Sequence, residues 1–462
     1  MSLTRFSVLL LSIGLALWAA RCGSDDGNPH LPDADADLEV IPETADDVPV
    51  EEQPDVPDVP ETQDPELDAV DVPDTEGDVE TDGEIEVVWD VVVVEDVTGF
   101  KSRVAIALDA AGNVHLAYNI ATDPEGWYTP SVWYATNESG SWAKVEAAPA
   151  AGVSNEYPVI VVDAAGKPHI FYNRYIEAED QIDIFHITTD DSGTFQAPQA
   201  ITAAFDGWAY APSAFIEGDD TIHVVFQTQT GVSPDQVYGI GYAAVSGGTP
   251  SAVEEVASSS AIPSLDPTHD IVVDGSGNVH VVYGMPGDTG YEGVITYRGK
   301  TGATWSAPEA LSETSLDAYS CGLGIDGAGV IHLAYVKGEL FGDMSLTYNR
   351  RESGAWSAAQ ALSTFPDDRA YYLGLVGETG GEGVHIAFKR YHDSMGDIYY
   401  LKAEGGTFEE PYRVTETAEL DEATSAIALA ADGTLFIAFT ENLSDAPNGV
   451  IYLATRREIM TP

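Results

Sequence analysis

Short runs of apolar residues, separated by glycine, asparagine and aspartate, follow one another from about residue 86 to the end of the chain. The first unit reads VAIALD, a DAAGN turn, VHLAYN, a longer polar loop, SVWYATNE, an SG turn and SWAKVEAAP. Valine, isoleucine, tyrosine, phenylalanine and tryptophan dominate these runs, which is typical of strands joined by turns. No sustained apolar pattern of helical period follows residue 100. Each unit therefore predicts four short β-strands.

The same unit recurs along the chain with a histidine at a fixed place. The histidines are His115, His169, His223, His280, His332 and His385, and a seventh copy carries Phe436. Successive copies are 51 to 57 residues apart. Four strands repeated at such a period are the signature of a β-propeller. We therefore predict an all-β fold, a seven-bladed β-propeller, preceded by a disordered acidic and proline-rich linker.

The last unit poses a closure problem, because it supplies only three strands before the chain ends and an open ring exposes sheet edges. The segment EVVWDVVVVED, Glu86 to Asp96, matches the outer-strand pattern SWAKVEAAP and places Trp89 where the first blade has Trp142. We expect this N-terminal strand to complete the last blade and close the ring.

The repeated histidine invites a metal-binding or catalytic interpretation, but six copies spread around a ring do not meet at one ion, as metal ligands must. An aspartate lies six residues before four of them, at Asp109, Asp163, Asp274 and Asp326. A buried imidazole needs such a hydrogen-bond partner. We predict a scaffold role for these histidines, and neither a metal nor a cofactor.

The outer strands carry a family resemblance. The segments GTFQAPQAIT, ATWSAPEALS, AWSAAQALS and GTFEEPYRVT share a glycine, an aromatic residue and usually a proline at fixed offsets. The turn TDDSGTF (189–195) is one residue short of the box Ser/Thr-x-Asp-x-Gly-x-Thr-Trp/Phe, and RGKTGATW (298–305) has Lys300 in place of its aspartate. The pattern resembles the bacterial-neuraminidase-repeat, or Asp-box, propellers that include the sialidases. This resemblance implies the superfamily rather than an activity.

The N-terminal segment is typical of export. Residues 1–21 have one early positive charge and a short apolar run, which predicts a signal peptide, and Cys22 follows. CGSDDG resembles the mature N-terminus of a bacterial lipoprotein, so Cys22 is the predicted lipidation site, although Arg21 departs from the small residue expected there. Gly23 favours, by that resemblance, the outer membrane or cell surface; a secreted or periplasmic soluble form is the alternative. Cys321 is the only other cysteine, and we expect it to be buried.

Charge separates the rest of the chain into two parts. Between Cys22 and Phe100 there are 28 acidic residues and no Lys or Arg, so residues 22–85 are predicted to form a disordered stalk before a propeller over 86–462. That leaves 49 of the 77 acidic residues beyond Phe100, against 17 of the 19 basic ones. Such a surface repels nucleic acid and anionic membranes. We expect a monomer whose partner is a glycan or a protein at the cell surface.

Function should lie where the blades differ, on the face shared by the loops between blades and the loops joining second and third strands. Aromatic, basic and acidic side chains occur together in these loops, which suits sugars with apolar ring faces and many hydroxyls. The ligand-binding candidates are Arg103, Arg174, Trp208, Tyr210, His269, Tyr319, Arg369, Tyr371, Arg390 and His392, with Asp206, Asp266, Asp317, Asp367 and Asp393 among them.

The preferred interpretation is a carbohydrate- or partner-binding module, with no catalytic residue assigned. The alternative is a carbohydrate-active enzyme. By resemblance to sialidases, Arg103 falls at the family's Arg-Ile-Pro motif, without the Ile-Pro, and Arg174, Arg369 and Arg390 would complete an arginine cluster with Tyr371 or Tyr319 as the nucleophile. A polysaccharide lyase would instead pair His269 or His392 with Tyr319 or Tyr371 as acid and base.

Overall fold

A computed structural model describes residues 85–96, 99, 103–121, 129–232, 235–260, 268–286, 293–313, 317–338, 344–365, 369–392, 395–404, 407–415, 421–442 and 449–460. These residues form strands and turns, and no helix long and apolar enough to cross a membrane occurs in the described segments. The signal peptide, the lipidation of Cys22 and the acidic stalk fall on residues 1–84, outside the described residues, and stay predictions.

The strands form seven antiparallel sheets, which we number as blades 1 to 7 in chain order from the first complete sheet. The first strand of the chain is β1 (Ile85–Glu95). Blade 1 holds β2 (Val104–Leu108), β3 (Val114–Ile120), β4 (Ser131–Thr136) and β5 (Ala143–Ala148); blade 2 holds β6 (Ser154–Val162), β7 (Pro168–Ile176), β8 (Gln181–Thr188) and β9 (Gln199–Ala200). Blade 3 holds β10 (Trp208–Ile216), β11 (Ile222–Thr230), β12 (Val237–Ser246), β13 (Thr249–Pro250) and β14 (Glu254–Ser259).

The remaining sheets repeat this plan. Blade 4 holds β15 (His269–Val273), β16 (Val279–Pro286), β17 (Gly293–Thr301), β18 (Thr304–Trp305) and β19 (Glu309–Ala310); blade 5 holds β20 (Asp317–Ile325), β21 (Ile331–Gly338), β22 (Met344–Glu352), β23 (Ala355–Trp356) and β24 (Gln360–Phe365). Blade 6 holds β25 (Arg369–Gly377), β26 (Val384–His392), β27 (Met395–Glu404), β28 (Thr407–Phe408) and β29 (Tyr412–Arg413); blade 7 holds β30 (Asp421–Leu429), β31 (Leu435–Asn442), β32 (Gly449–Met460) and β1. The predicted seven-bladed propeller is confirmed.

The ring closes as the sequence predicts. Strand β1 pairs antiparallel with β32, so the first strand of the chain is the outermost strand of the last blade. The Trp89 ring meets Tyr400 of blade 6 edge-on at 5.3 Å, as Phe195, Trp305, Trp356 and Phe408 meet tyrosines of their preceding blades. The inner strands contact one another in succession, and β30 contacts β2, which completes the ring.

Neighbouring blades are held together by apolar side chains. Between blades 5 and 6, Leu346, Ile386 and Phe388 are fully buried, and between blades 7 and 1 Leu116 and Leu453 are buried together. Burying one such side chain stabilises the fold by roughly 1.5–3 kcal/mol. Cys321 is buried as expected, among the apolar residues that blades 4 and 5 share.

The fourth strand departs from the prediction in blades 3 to 6, where it is split into two pieces, and in blades 4 and 6 a proline lies between the pieces. Strands β18 and β19 flank Pro308, and β28 and β29 flank Pro411. Proline has no N–H for the ladder, so pairing stops there. In blade 2, Asp190 of the box-like turn accepts hydrogen bonds from the Ser192 and Thr194 amides.

The repeated histidine begins the second strand of six blades and lies in a hydrogen-bonded network. In blade 5, His332 Nδ1 lies 2.6 Å from the Tyr348 hydroxyl and Nε2 lies 3.1 Å from the Asp326 carboxylate. The corresponding hydrogen-bond partners are Tyr134 for His115, His186 and Asp163 for His169, Tyr242 for His223, Tyr297 and Asp274 for His280, and Tyr400 and Glu378 for His385. A carboxylate also lies near Nε2 of the other two histidines, Asp109 at 3.6 Å from His115 and Glu217 at 3.1 Å from His223. The predicted aspartate partner is found at His169, His280 and His332, whereas Asp109 lies 3.6 Å from His115 and the tyrosine was not predicted. The scaffold role stays a prediction.

Blade 7 replaces the whole network with apolar residues. Phe436 takes the place of the histidine, and Ala430, six residues earlier, takes that of the aspartate. Leu453 takes the place of the tyrosine, because Phe436 pairs with Thr455 as His332 pairs with Arg350, two residues beyond Tyr348. A network that is lost as a unit indicates that its three members depend on one another.

Candidate functional site

The candidate site lies on the face where the inner strands begin and the second strands end, which we call the mouth face. It is the opposite face from the histidine networks, which lie where second strands begin. Arg103 directly precedes β2, the inner strand of blade 1. Its guanidinium lies 4.6 Å from the ring centroid of Tyr157 in blade 2 and 5.4 Å from that of Tyr372 in blade 6. A side chain of blade 1 that reaches both of these inner strands lies across the mouth of the ring.

The two tyrosines occupy strained backbone. Tyr157 has φ 54° and Tyr372 has φ 52°, and Ala211 and Ser320 have positive φ in the inner strands of blades 3 and 5. Each lies where the register of the inner strand shifts against its neighbour. A non-glycine residue in this region costs of order 1–3 kcal/mol and is concentrated at functional sites. The mouth therefore carries strain that its surroundings must hold in place.

A carboxyl group lies beside the arginine. Glu156 precedes Tyr157 and accepts a hydrogen bond of 2.7 Å from the Ser154 hydroxyl. Burial raises the pKa of Glu156, against the lowering effects of the Ser154 hydrogen bond and the Arg103 charge. Glu156, Tyr157 and Tyr372 were not among the candidates chosen from the sequence.

Two aromatic candidates, Trp208 and Tyr210, lie in β10, the inner strand of blade 3. Burial raises the pKa of Tyr210, with smaller contributions from nearby Tyr238 and Tyr157. The indole N–H of Trp208 donates to the Asp180 carbonyl at 2.9 Å, which ties this candidate to the loop of blade 2. Trp208 therefore lies at the junction of blades 2 and 3, and Tyr210 lies two residues further along the same inner strand.

His269 is a buried candidate in blade 4, with 6% of its surface exposed. Its Nε2 donates to the Ala211 carbonyl at 2.7 Å, and Nδ1 has no hydrogen-bond partner among the described residues. Burial lowers the pKa of His269 to about 4, although the bond to Ala211 opposes the shift. The imidazole is therefore neutral near pH 7, with Nδ1 as an unprotonated acceptor.

The other described candidates are engaged within their own blades. Arg174 donates from Nε to Asn155 at 2.7 Å and lies over the Phe185 ring at 4.5 Å. Arg390 lies over Tyr399 at 5.4 Å. Tyr371 is buried, with its ring edge-on to that of Tyr391. Of the predicted arginine cluster, Arg103 contacts tyrosines of two other blades, whereas Arg174 and Arg390 lie near the mouth ends of β7 and β26 and contact residues of their own blades.

Three further candidates, Tyr319, Arg369 and His392, lie in strands, but their side chains are outside the described part of the structure. Of the acidic loop residues, Asp206 is exposed; Asp317 begins β20 with its side chain not described; Asp266, Asp367 and Asp393 fall outside the described ranges. What the described residues bring together is a guanidinium between two aromatic rings with a protonatable carboxyl beside it. Such a set can pair with an anionic group and pack against an apolar sugar face.

Comparison with known proteins bears on the fold. No family model and no curated protein matches the sequence. A polysaccharide lyase of family PL25, an ulvan lyase bound to -[GlcA(1-4)Rha3S]-, is 14% identical with a TM-score of 0.57, over 78% of this chain and 94% of its own. A second structure of a PL25 ulvan lyase is 13% identical with a TM-score of 0.54, over 77% and 95%. A Hadza microbial sialidase is 14% identical with a TM-score of 0.43, over 65% of each chain. The chain shares with the two lyases the propeller fold.

Proposed function

We propose that this protein binds an acidic carbohydrate at the mouth of its central channel, with Arg103 pairing with a carboxylate of the sugar. The observation that carries this proposal is the position of the Arg103 guanidinium, 4.6 Å and 5.4 Å from the rings of Tyr157 and Tyr372. Stacking on aromatic rings fixes the orientation of the planar guanidinium, which can then donate two parallel hydrogen bonds to one carboxylate. Aromatic rings around it offer surfaces on which a sugar ring packs.

The net negative charge of the domain means that an acidic ligand must be attracted by a particular cation rather than by the surface as a whole. Beyond Phe100 there are 49 acidic and 17 basic residues, so the domain as a whole repels anions. An acidic ligand must therefore be recognised by direct contact with a particular cation. Such a site selects ligands by the position of their anionic group, because long-range electrostatic attraction contributes nothing to binding.

The solved structures that share the fold support the class of ligand. One of the two ulvan lyases holds an oligosaccharide that contains GlcA, an acidic sugar. The export-type N-terminus and the acidic residues 22–85 support display outside the cell, where such polymers occur, with Cys22 as the proposed lipid anchor.

A second candidate function is catalysis on the same ligand. It is favoured by Glu156, because a carboxyl with a raised pKa beside a substrate-binding arginine is suited to proton transfer. The neutral imidazole of His269 is a further candidate base in blade 4. Binding without turnover remains the preferred function, with a glycosidase or polysaccharide lyase as the alternative.

The binding proposal is tested by screening the full chain against an array of neutral and acidic glycans. We expect saturable binding to uronic-acid or sialic-acid glycans, lost in Arg103→Gln and weakened in Trp208→Ala. Arg350→Gln is the matched control, because Arg350 lies opposite His332 in the strand register, at the other end of the blade, with its side chain partly exposed. Binding of neutral glycans alone, or equal binding by Arg103→Gln, would contradict the proposal.

The two functions are separated by looking for products. Acidic polysaccharides incubated with the wild type are assayed for unsaturated ends by ultraviolet absorbance and for new reducing ends. Product that disappears in Glu156→Gln, Arg369→Ala or His392→Ala would establish an enzyme. Saturable binding without product establishes the binding module.

A further inference from the structure

One peptide group at the mouth lies in a bulge of its strand. The register of β25 against β26 shifts between Tyr371 and Gly374, and Tyr372 has φ 52°. The peptide between Tyr372 and Leu373 is therefore part of this bulge. Its C=O and its N–H, like any backbone groups away from water, need hydrogen-bond partners.

Both of those groups are satisfied by serines of the neighbouring blades. The Ser425 hydroxyl of blade 7 donates to the Tyr372 carbonyl at 2.5 Å. The Leu373 N–H donates to the Ser320 hydroxyl oxygen of blade 5 at 2.9 Å. One peptide is thus held from both sides by side chains that belong to different sheets.

The strained positions of blades 2 and 3 solve the same problem differently. Tyr157 is followed by Pro158 and Ala211 by Pro212, and proline has no N–H to satisfy. The Ala211 carbonyl is bound by His269, and its N–H by the Asn173 side chain at 3.1 Å. Holding a strained mouth residue through adjacent blades is therefore a recurring device, and in blade 6 two serines provide it.

We infer that Ser320 and Ser425 are positioning residues of the Arg103 site. By fixing the peptide that follows Tyr372, they hold its ring against the Arg103 guanidinium. Without them the backbone would relax from positive φ, and the tyrosine would leave the arginine. The role in ligand binding rests on the proposed function, whereas the positioning of Tyr372 does not.

Ser213 provides a matched control for a general effect on packing. It also lies in an inner strand and donates across a blade junction, to the Asp270 carboxylate at 2.7 Å. Its bond joins blades 3 and 4 and does not involve Tyr372 or Arg103. If interblade serines only stabilise the ring, removing Ser213 and removing Ser425 will have the same consequences.

The experiment is NMR of the full chain with ¹⁵N-labelled arginine. The Arg103 Nε–H signal is assigned with Arg103→Lys, and Tyr372→Leu defines its position without the ring. We expect Ser425→Ala and Ser320→Ala each to move the Arg103 signal toward its position in Tyr372→Leu. In Ser425→Thr, which keeps the hydroxyl, and in the control Ser213→Ala, we expect the signal at its wild-type position. An unchanged signal in both alanine variants, or in Tyr372→Leu itself, would overturn the inference, as would an equal change in Ser213→Ala. If Ser425→Ala does not fold, Ser320→Ala and Ser425→Thr decide.

Tetragalacturonate titration separates the inference from the proposed function. We expect Ser425→Ala to weaken its binding by about five-fold while Ser213→Ala binds like the wild type. Undiminished binding by Ser425→Ala would overturn the role of the serine in the site. Shifted Arg103 signals with no binding of acidic sugars by any form would leave the positioning supported and the proposed ligand refuted.

Discussion

Replacing His332 with phenylalanine removes the centre of one histidine network and keeps an apolar ring in its place. His332 is 3% exposed, and the change leaves the Tyr348 hydroxyl and one oxygen of Asp326 without their partner. Each buried group left unsatisfied costs about 1–3 kcal/mol. The other Asp326 oxygen keeps its bonds from the Ala328 and Val330 amides, so two groups lose their partner and the total should be about 2–6 kcal/mol.

The triple variant Asp326→Ala, His332→Phe, Tyr348→Leu copies blade 7, where Ala430, Phe436 and Leu453 occupy these places. The Tyr348 hydroxyl and the Asp326 carboxylate are then removed rather than left without the histidine, and the Ala328 and Val330 amides that lose Asp326 lie in an exposed to half-buried turn. The triple variant should therefore be more stable than His332→Phe alone by about 1 kcal/mol or more, despite losing the contact of Tyr348 with Phe408. Urea unfolding at neutral pH, followed by tryptophan fluorescence, measures both. A triple variant that loses the sum of three single losses would refute the view that the network is a unit.

Further predictions concern closure, export and acid. A chain starting at Lys101 lacks β1 and should melt well below one starting at Thr81, because β32 becomes an exposed edge; equal melting temperatures would contradict closure. Cys22→Ser should move the exported protein from the detergent phase to the aqueous phase, and unchanged partitioning would exclude lipidation. Burial lowers the pKa of His186 to about 3, below the value near 6.5 of an unfolded chain, so its contribution to stability is complete above pH 6.5 and is lost as the pH falls toward 3. His186→Tyr should therefore lose less stability than the wild type between pH 7.5 and 5, and identical losses would contradict the assignment.

The blades could be predicted from the sequence because the pattern that identifies each blade lies within one repeat unit. The spacing of the histidines, the turn six residues before each and the aromatic outer strand all lie within one unit. Asp326 was therefore predicted for His332, but Tyr348 was not, because it lies on the third strand and its position depends on cross-strand register. Closure could be predicted because the segment that contains Trp89 resembles the outer strand that contains Trp142, although it lies at the opposite end of the chain from the blade it completes.

The site was harder to predict because a bulge decides which side chain faces the mouth. Tyr371 was chosen as a candidate, yet it is buried, and its neighbour Tyr372 lies against Arg103. Strand side chains alternate between faces, so one extra residue in the bulge exchanges the two tyrosines. Positive φ at a non-glycine residue leaves no mark in the sequence. Arg103 was found because it opens the first inner strand, on the face that the loops between blades share.

The most direct test of the account is the location of the bound sugar, from a crystal structure of the full chain with an acidic oligosaccharide selected on the array. We expect a sugar carboxylate within hydrogen-bond distance of the Arg103 guanidinium, with a sugar ring beside Tyr157 or Tyr372. A sugar on the outer strands of the blades, or on the face that carries the histidine networks, would contradict it.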